Sequence, residues 1–311
     1  MCKHCETNPV YKQESGRKLC KKCFSEYYER KVFRTIRKHE LLDKEDKIGV
    51  ACSGGKDSTT LLYLLNRFAE SNRMQKPEAL AIDEGIHGYR NKTLEDLKNF
   101  CENNKVKLHI FSFKKEFGFS LDEALVIAQK KKLGINSCYI CGILRKYLIN
   151  KNARSLEFTK LATGHNLDDE AQTILVNQMK GNLSLSAKLG PVSGFAKRNG
   201  FVQRIKPLYF CTEKENMLYA FIQKIIPGFV ECPHQQSYRF EVRDFLNKFE
   251  SEHTGVKTAI VNSFLEQLPM LKERFKGSTK EIKYCQKCGE PGNNEICKAC
   301  EVRELILRNL N

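Results

Sequence analysis

From residue 47 onward, segments with the hydrophobic pattern of buried strands alternate with segments that have the pattern of amphipathic helices. Short apolar runs at 47–52, 79–82, 107–113 and 160–164 predict buried strands. Longer amphipathic stretches near 57–69, 91–103, 120–132 and 142–153 predict the intervening helices. Such alternation is typical of an α/β fold, in which a doubly wound parallel sheet carries helices on both faces.

Helical periodicity continues on either side of this region. Residues 24–42 predict an amphipathic helix with Lys and Arg on its polar face, and the ranges 213–226, 239–250 and 258–275 predict three more helices. The apolar runs are all much shorter than the roughly 20 residues of a membrane span. We therefore expect a cytoplasmic protein that does not associate with a membrane.

Charge and cysteine content narrow the class further. The chain has 53 Lys and Arg against 37 Asp and Glu, a formal net charge of +16, which favours a polyanionic partner such as nucleic acid over a merely basic soluble protein. Disulfides are rare in the cytosol, and ten of the 14 cysteines form five Cys-x-x-Cys pairs. Metal binding is therefore the first interpretation of these cysteines.

The loop after the first strand of the sheet has phosphate-binding chemistry. Its sequence is Ser53, Gly54, Gly55, Lys56, Asp57, Ser58. Adjacent glycines allow the backbone to approach a ligand closely, and amides at the following helix N-terminus point toward an anion. Lys56 adds a positive charge, and Asp57 adds a carboxylate that can hold Mg²⁺. The spacing is not that of a Walker loop, and the run resembles the loop of PP-loop ATP pyrophosphatases, which cleave ATP between its α- and β-phosphates.

Four cysteines at each end of the chain have the spacing of zinc ribbons. The first set is Cys2, Cys5, Cys20 and Cys23, and the second is Cys285, Cys288, Cys297 and Cys300. We predict an N-terminal ribbon at 1–23, a linking helix at 24–46, a catalytic domain at 47–276 and a C-terminal ribbon at 277–311. Basic residues near the first ribbon predict either RNA contact or a solvated face (Lys3, Arg17, Lys18, Lys21 and Lys22).

Cys138 and Cys141 form a pair that has no second pair nearby. They precede a basic helical stretch with Arg145 and Lys146, a setting that is expected to lower thiol pKa values. Cys232, before a proline, is the best third member. Three cysteines could hold a [4Fe–4S] cluster with one open iron. A persulfide and resolving pair, or a third zinc site, are the alternatives.

Polar residues also follow the fourth predicted strand, in the run Gly164, His165, Asn166, Leu167, Asp168, Asp169. Gly164 and His165 are predicted to lie at the ATP site. Asp169 or Asp168 is predicted to bind Mg²⁺ or to position the substrate, although capping of the next helix would also explain carboxylates there. Arg204 and Lys206 are candidates for holding pyrophosphate or RNA, against an alternative of surface charge.

These motifs together resemble the TtcA/TtuA family of tRNA 2-thiolation enzymes, specifically the TtuA/NcsA branch, over essentially the whole chain. The resemblance implies that ATP adenylates the C2 oxygen of a uridine and that sulfur then replaces this oxygen. It also implies catalytic roles for Asp57 and Asp169, a phosphate contact for Ser53, and a sulfur-delivering [4Fe–4S] cluster on Cys138, Cys141 and Cys232.

Where the family can carry a lysine, this chain has Arg145 followed by Lys146, and an arginine cannot act as a base. The resemblance further implies a homodimer and a sulfur donor that is either a thiocarboxylated ubiquitin-like protein or free sulfide. The wobble uridine, position 34, is favoured over position 54 of the T-loop, because frequent Asn, Gln and Cys are typical of mesophilic proteins.

Two other functions were considered for the chain. A small-molecule ATP pyrophosphatase leaves the positive charge and the two ribbons unexplained. A non-catalytic RNA-binding zinc protein leaves the intact 53–58 loop unexplained.

Overall fold

The computed structural model describes residues 2, 5, 7–13, 15–194, 200–225, 232–234, 238–276 and 282–309. In chain order the strands are β1 (Tyr11–Lys12), β2 (Lys18–Leu19), β3 (Ile48–Ala51), β4 (Glu78–Asp83), β5 (Leu108–Ser112), β6 (Lys160–Thr163), β7 (Gln203–Ile205), β8 (Lys283–Tyr284) and β9 (Pro291–Gly292). The helices are α1 (Lys21–Lys38), α2 (Lys56–Asn72), α3 (Arg90–Asn103), α4 (Phe113–Phe117), α5 (Leu121–Lys130), α6 (Ser137–Ser155), α7 (Leu167–Met179), α8 (Leu183–Ser186), α9 (Glu213–Ile222), α10 (Tyr238–Glu252), α11 (Val256–Phe275) and α12 (Lys298–Arg308).

A five-stranded parallel sheet forms the centre, in the order β5-β4-β3-β6-β7. Strands β4 and β5 are added on one side of β3, and β6 and β7 are added on its other side. The order in which strands are added therefore reverses between β3 and β6. Ala51 pairs with Thr163, which brings the ends of these two strands to the same level. The predicted α/β fold with a parallel sheet is confirmed, and ligands in such folds bind at this reversal point.

Apolar residues cover both faces of the sheet. On one face, Tyr28 of α1 and Tyr219 of α9 pack with their ring centroids 4.5 Å apart, in a cluster that includes Ala79 and Ala81. On the other face, Leu80 and Ile82 pack against α5, α6 and α12. The helices that adjoin the two cysteine-rich termini are thus part of the hydrophobic core.

Some boundaries differ from those predicted. Strand β7 was missed, because its three residues include two polar side chains and present no apolar run. Helix α6 begins at Ser137 rather than near 142, since the Asn136 side chain accepts a hydrogen bond from the Tyr139 amide and caps it there. The helix predicted to reach Ile226 ends at Ile222, and Ile226 lies outside the described residues.

Cys52, Cys101 and Cys211 are all buried, as expected of small apolar residues. Within the described ranges, no helix is both long enough and apolar enough to cross a bilayer.

Candidate functional site

The 53–58 loop connects β3 to α2, and one of its glycines is required sterically. Gly54 has φ +79°, and a Cβ atom there would lie 2.2 Å from the Thr93 carbonyl oxygen. Ser53 Oγ accepts a hydrogen bond from the Gly55 amide at 3.2 Å and lies 3.2 Å from Ser58 Oγ. The loop is thus held in a fixed shape at the N-terminus of α2, where backbone amides and the helix dipole favour an anion.

Replacing Gly54 with Ala should destabilise the protein, because positive φ alone costs roughly 1–2 kcal/mol and the backbone contact adds to it. Gly55→Ala is the matched control, since its φ is −84° and the nearest atom to a new Cβ is Ser53 Oγ at 3.3 Å. Urea unfolding should give a clearly lower midpoint for Gly54→Ala alone. Equal midpoints for the two variants would contradict this account of the loop.

A cavity of about 360 Å³ lies at the carboxyl ends of β3, β4 and β6, and we call it the switch-point cavity. A Cβ on Gly164 would come within 2.9 Å of the Ser58 amide nitrogen, so only glycine allows the two loops to approach this closely. The predicted site residues that line the cavity are Ser53, Asp57, Ser58, Arg145, Lys146, Gly164, His165, Asp169 and Arg204. Gly54, Gly55 and Lys56 do not line it.

Three carboxylates line this cavity (Asp57, Glu84 and Asp169), and each has a cation beside it. Asp57 accepts a hydrogen bond from the Asn216 amide at 2.8 Å and lies 3.1 Å from Lys56 Nζ. Asp169 pairs with Arg239 at 2.7 Å and also caps α7. Burial raises the pKa of the Asp57 and Asp169 carboxyl groups, although these cations lower it in part. Two such carboxylates at one cavity are suitable oxygen ligands for Mg²⁺.

Lys56 was predicted to supply a charge for phosphate. Its Nζ lies 2.9 Å from Glu213 and 3.1 Å from Asp57, so it bridges two carboxylates. An approaching phosphate would therefore compete with Glu213 for this lysine.

Asp168 has a different environment from Asp169. Its side chain is buried, forms an ion pair with Lys257 and accepts a hydrogen bond from the Glu213 amide at 2.7 Å. These contacts tie α7 to α9 and α11. Of the two candidate carboxylates, Asp169 faces the cavity and Asp168 supports the fold.

Asp168→Asn should destabilise the protein by about 3–5 kcal/mol, because it leaves the buried Lys257 charge without its counter-ion. The double variant Asp168→Asn with Lys257→Met should recover part of that loss, since the uncompensated charge is gone. Thermal or urea unfolding measures both. A single variant as stable as the wild type would show that the pair does not support the fold.

Several basic side chains line the cavity opposite the carboxylates. The pKa of Lys146 is lowered by burial and by the neighbouring charges of Arg204 and Arg145. His165 is exposed to solvent and lies 3.0 Å from Thr163 Oγ1. Desolvation by the surrounding protein and the charges of nearby cations lower its pKa. The imidazole is therefore neutral at physiological pH.

Glu84 and Arg90 belong to this site and were missed from the sequence. Glu84, directly after β4, has its carboxylate 2.9 Å from Arg90 Nε and 3.7 Å from Arg145. The Arg90 guanidinium donates a hydrogen bond to the Ser53 carbonyl oxygen. These contacts link the 53–58 loop to α6. The position of Glu84 at a strand end is a signal that could have identified it, whereas Arg90 gave none.

The three remaining candidate cysteines, Cys138, Cys141 and Cys232, lie near one another at the start of α6, but their sulfur atoms are not all within 4.8 Å of one another as those of the terminal sets are. The Ser137 hydroxyl donates to the His234 carbonyl oxygen at 3.2 Å, and Cys138 Sγ lies 3.7 Å from the same oxygen, which places the segment 232–234 against the helix. Cys141 and Cys232 both pack against the apolar cluster under α6.

The expected lowering of thiol pKa values is wrong for two of them. Burial raises the pKa of Cys141 to about 11 and also raises that of Cys232, and this outweighs the opposing charge of Arg145. Buried thiols of this kind ionise readily only when a metal supplies the positive charge. Three cysteine sulfurs match the donor set of a [4Fe–4S] cluster with one open iron, which Cys138, Cys141 and Cys232 would hold.

The terminal cysteines are grouped more tightly. In each set, the four sulfur atoms lie within 4.8 Å of one another (Cys2, Cys5, Cys20 and Cys23; Cys285, Cys288, Cys297 and Cys300). The Cys297 amide donates to Cys285 Sγ at 3.3 Å. Four soft ligands at this spacing fit one tetrahedral Zn²⁺ per set. Arg17, Lys18, Lys21 and Lys22 are exposed near the first set, and Lys3 lies outside the described residues.

Comparison with known proteins agrees with this geometry. Residues 25–249 match a family model described as a PP-loop domain. The chain is 34% identical to a tRNA-5-methyluridine(54) 2-sulfurtransferase of Pyrococcus horikoshii, over 96% of this chain and 92% of that protein. It is 31% identical to the cytoplasmic tRNA 2-thiolation protein 1 of Danio rerio, over 99% of this chain and 89% of that protein.

A solved structure is similar over nearly the same length. It is the U34-tRNA thiolase NcsA of Methanococcus maripaludis with its [4Fe–4S] cluster, with a TM-score of 0.79, 32% identity, and coverage of 98% of this chain and 95% of that one. The predicted family is confirmed. The chain belongs to the PP-loop tRNA 2-thiolation enzymes that include NcsA.

Proposed function

We propose that this protein replaces the C2 oxygen of a tRNA uridine with sulfur, at the expense of ATP, which is converted to AMP and pyrophosphate. The observation that carries the proposal is the position of α6. Its first two turns hold Cys138 and Cys141, and its next turn holds Arg145 and Lys146 on the wall of the switch-point cavity. One helix thus carries two of the candidate cluster cysteines and two cations of the switch-point cavity.

In the first step, the uridine C2 oxygen attacks the α-phosphate of ATP, and pyrophosphate leaves. We assign the 53–58 loop, with Gly164 and His165, to ATP binding, and we assign Asp57 and Asp169 to Mg²⁺. These two carboxylates would hold Mg²⁺, which would supply positive charge to offset the negative charge that develops as the bond breaks.

Arg145 and Lys146 then take separate roles. The guanidinium of Arg145 stays protonated and, aimed by Glu84 at 3.7 Å, stabilises negative charge on phosphate. Lys146 has the lowered pKa, so it is the better group to accept the uridine N3 proton when the base is activated. In this way Arg145 and Lys146 together fill the role for which the family can use one lysine.

In the second step, sulfide attacks C2 and AMP leaves with the original oxygen. Cys138, Cys141 and Cys232 would hold a [4Fe–4S] cluster, which supplies an open metal position able to bind sulfur. A persulfide route through Cys141 and Cys232 is the alternative, and the raised pKa of both thiols disfavours it.

Several finer assignments complete the proposal. We propose the wobble uridine as the target, because the structure with a TM-score of 0.79 is a U34 thiolase and because the Asn, Gln and Cys content is typical of mesophiles, although a relative of similar identity is named for position 54. The sulfur donor, a ubiquitin-like thiocarboxylated protein or free sulfide, and the homodimer stay predictions. So do cytoplasmic location and the domain boundaries at 23, 46 and 276.

ATP turnover tests the first step. Purified protein with Mg²⁺ and ATP should release pyrophosphate and AMP faster when unmodified tRNA is added, and fully thiolated tRNA should not stimulate it. Stimulation by a small-molecule amine or amide acceptor in place of tRNA would contradict the proposal and favour a synthetase.

A further inference from the structure

A second and larger cavity, of about 620 Å³, lies between the catalytic sheet and the C-terminal ribbon. We call it the ribbon cavity. Its walls come from α6, from the described residues within 188–194 and 201–204 around β7, and from residues 290–299 of the ribbon. Its volume is within the range of roughly 300–1,000 Å³ that is typical of ligand pockets.

The ribbon cavity adjoins the switch-point cavity. Lys146 and Arg204 line both cavities, so a ligand in one reaches the cations that border the other. A uridine that presents its C2 oxygen to ATP in the smaller cavity has to continue, through its ribose and phosphates, into neighbouring space. Within the part of the chain that the structure describes, the ribbon cavity is the neighbouring space that Lys146 and Arg204 also line.

The charge of the wall favours an anion. Four of the described residues that line it are cationic (Lys146, Lys188, Arg204 and Lys298), and Glu290 is the one acidic residue among them. Glu290 is buried and is already paired with Arg154. Lys298 is paired with Glu301 at 2.6 Å, so a phosphate would compete with that carboxylate for it. The cavity therefore has a net positive wall.

The remaining wall residues suit a nucleobase. Phe201 is 38% exposed, and the amide side chains of Asn293 and Asn294 line the same cavity. Asn150 also lines it, and its amide donates a hydrogen bond to the Gly200 carbonyl oxygen at 3.4 Å. Aromatic stacking, amide contacts to base edges and cations for phosphates are the means by which proteins bind unpaired RNA.

We propose that the ribbon cavity binds one or two unpaired nucleotides that adjoin the target uridine, with a base stacked on Phe201 and phosphates near Lys188 and Lys298. This rests on the proposed function and assigns the C-terminal ribbon a substrate-binding role in addition to its structural one. It also implies that the target nucleotide enters the active site from the ribbon side of α6.

Equilibrium binding of unmodified tRNA tests the proposal, and this measurement needs neither ATP turnover nor iron. Phe201→Ala should weaken binding about tenfold, as expected when one base loses its stacking partner. Lys298→Gln should weaken binding and lower the slope of log K against log salt by about 0.7, as expected for one lost contact to single-stranded phosphate.

Matched controls lie on the outer face of the same ribbon. Tyr284 is 61% exposed and Lys283 is exposed, and neither lines the cavity. Tyr284→Ala and Lys283→Gln should therefore bind tRNA as the wild type does. If Phe201→Ala and Lys298→Gln bind tRNA as tightly as these controls while the wild type thiolates tRNA, the ribbon-cavity inference is wrong and the proposed function stands. If the wild type does not thiolate tRNA at all, the proposed function fails instead.

A zero-length crosslink locates the nucleotide directly. Unmodified tRNA with 4-thiouridine next to the target position is irradiated with the protein, and the crosslinked peptide is identified by mass spectrometry. Crosslinks within 200–204 or 290–298 support the proposal. Crosslinks confined to the N-terminal ribbon or to α1 would overturn it.

Discussion

Asp57→Asn is expected to lower tRNA-dependent pyrophosphate release by roughly 10²–10³-fold, the usual loss when one electrostatic contact to a transition state is removed. Asp57 lines the switch-point cavity, and its carboxylate is one of the two that we propose as ligands of Mg²⁺. The amide has nearly the same shape and keeps one oxygen for the Asn216 hydrogen bond, so the fold should be retained. Pyrophosphate release under saturating ATP and tRNA measures the effect.

The pH dependence of the wild type provides a second readout of the same residue. Because burial raises the pKa of Asp57 and of Asp169, both carboxylates take up protons at a higher pH than an exposed aspartate does. Acidification should therefore weaken Mg²⁺ binding and reduce the rate, and added Mg²⁺ should shift the decline to lower pH.

Glu70→Gln is the matched control for Asp57→Asn. Glu70 lies at the other end of α2, is about half exposed and pairs with Lys76 on the surface. The same acid-to-amide change there should leave the rate within about twofold, because exposed ion pairs contribute little. If Asp57→Asn is as active as Glu70→Gln, Asp57 has no role in the reaction.

Cys232→Ser is expected to remove iron and thiolation while sparing zinc. Protein purified without oxygen should be brown and contain about four irons per chain in addition to zinc, as a [4Fe–4S] cluster requires. With one of three cysteines replaced, the cluster should be lost, whereas the two terminal sets, each with its four sulfurs within 4.8 Å, remain complete. Metal analysis and the visible spectrum measure both changes.

Cys101→Ala is the control that distinguishes the loss of a cluster ligand from the loss of a cysteine elsewhere in the chain. Cys101 lies on the buried face of α3 and is 2% exposed, and a small apolar side chain substitutes there with little disturbance. This variant should keep its iron and its activity. Colourless wild-type protein that is fully active without oxygen would rule out the cluster and favour the persulfide route.

The sequence was sufficient for the features that depend on local pattern. Apolar runs identified four of the five sheet strands, and regular Cys-x-x-Cys spacing identified both tight cysteine sets. The 53–58 loop was evident because glycines, a cation and a carboxylate follow an apolar strand. Periodicity and spacing depend only on residues close together in sequence, so they can be recognised without knowledge of the tertiary structure.

Features that depend on distant contacts were not accessible. Asp168 and Asp169 are adjacent and chemically identical, and only the position of Lys257 on α11 assigns the first to the fold. The pKa of Cys141, a residue of α6, is raised because its side chain is buried, and the basic neighbours in sequence do not offset this effect. Likewise, Arg90 becomes a site residue only when the fold places it beside Glu84 and the Ser53 carbonyl oxygen.

Reconstitution of thiolation with defined components is the most direct test of the central claim. Holoprotein, unmodified tRNA, ATP, Mg²⁺ and sulfide are incubated without oxygen, and the tRNA is digested and its nucleosides are mapped by mass spectrometry. The account predicts 2-thiouridine in amounts equal to the AMP formed, at the wobble position, and none with Asp57→Asn or Cys232→Ser. ATP consumption without any 2-thiouridine in the tRNA would contradict it.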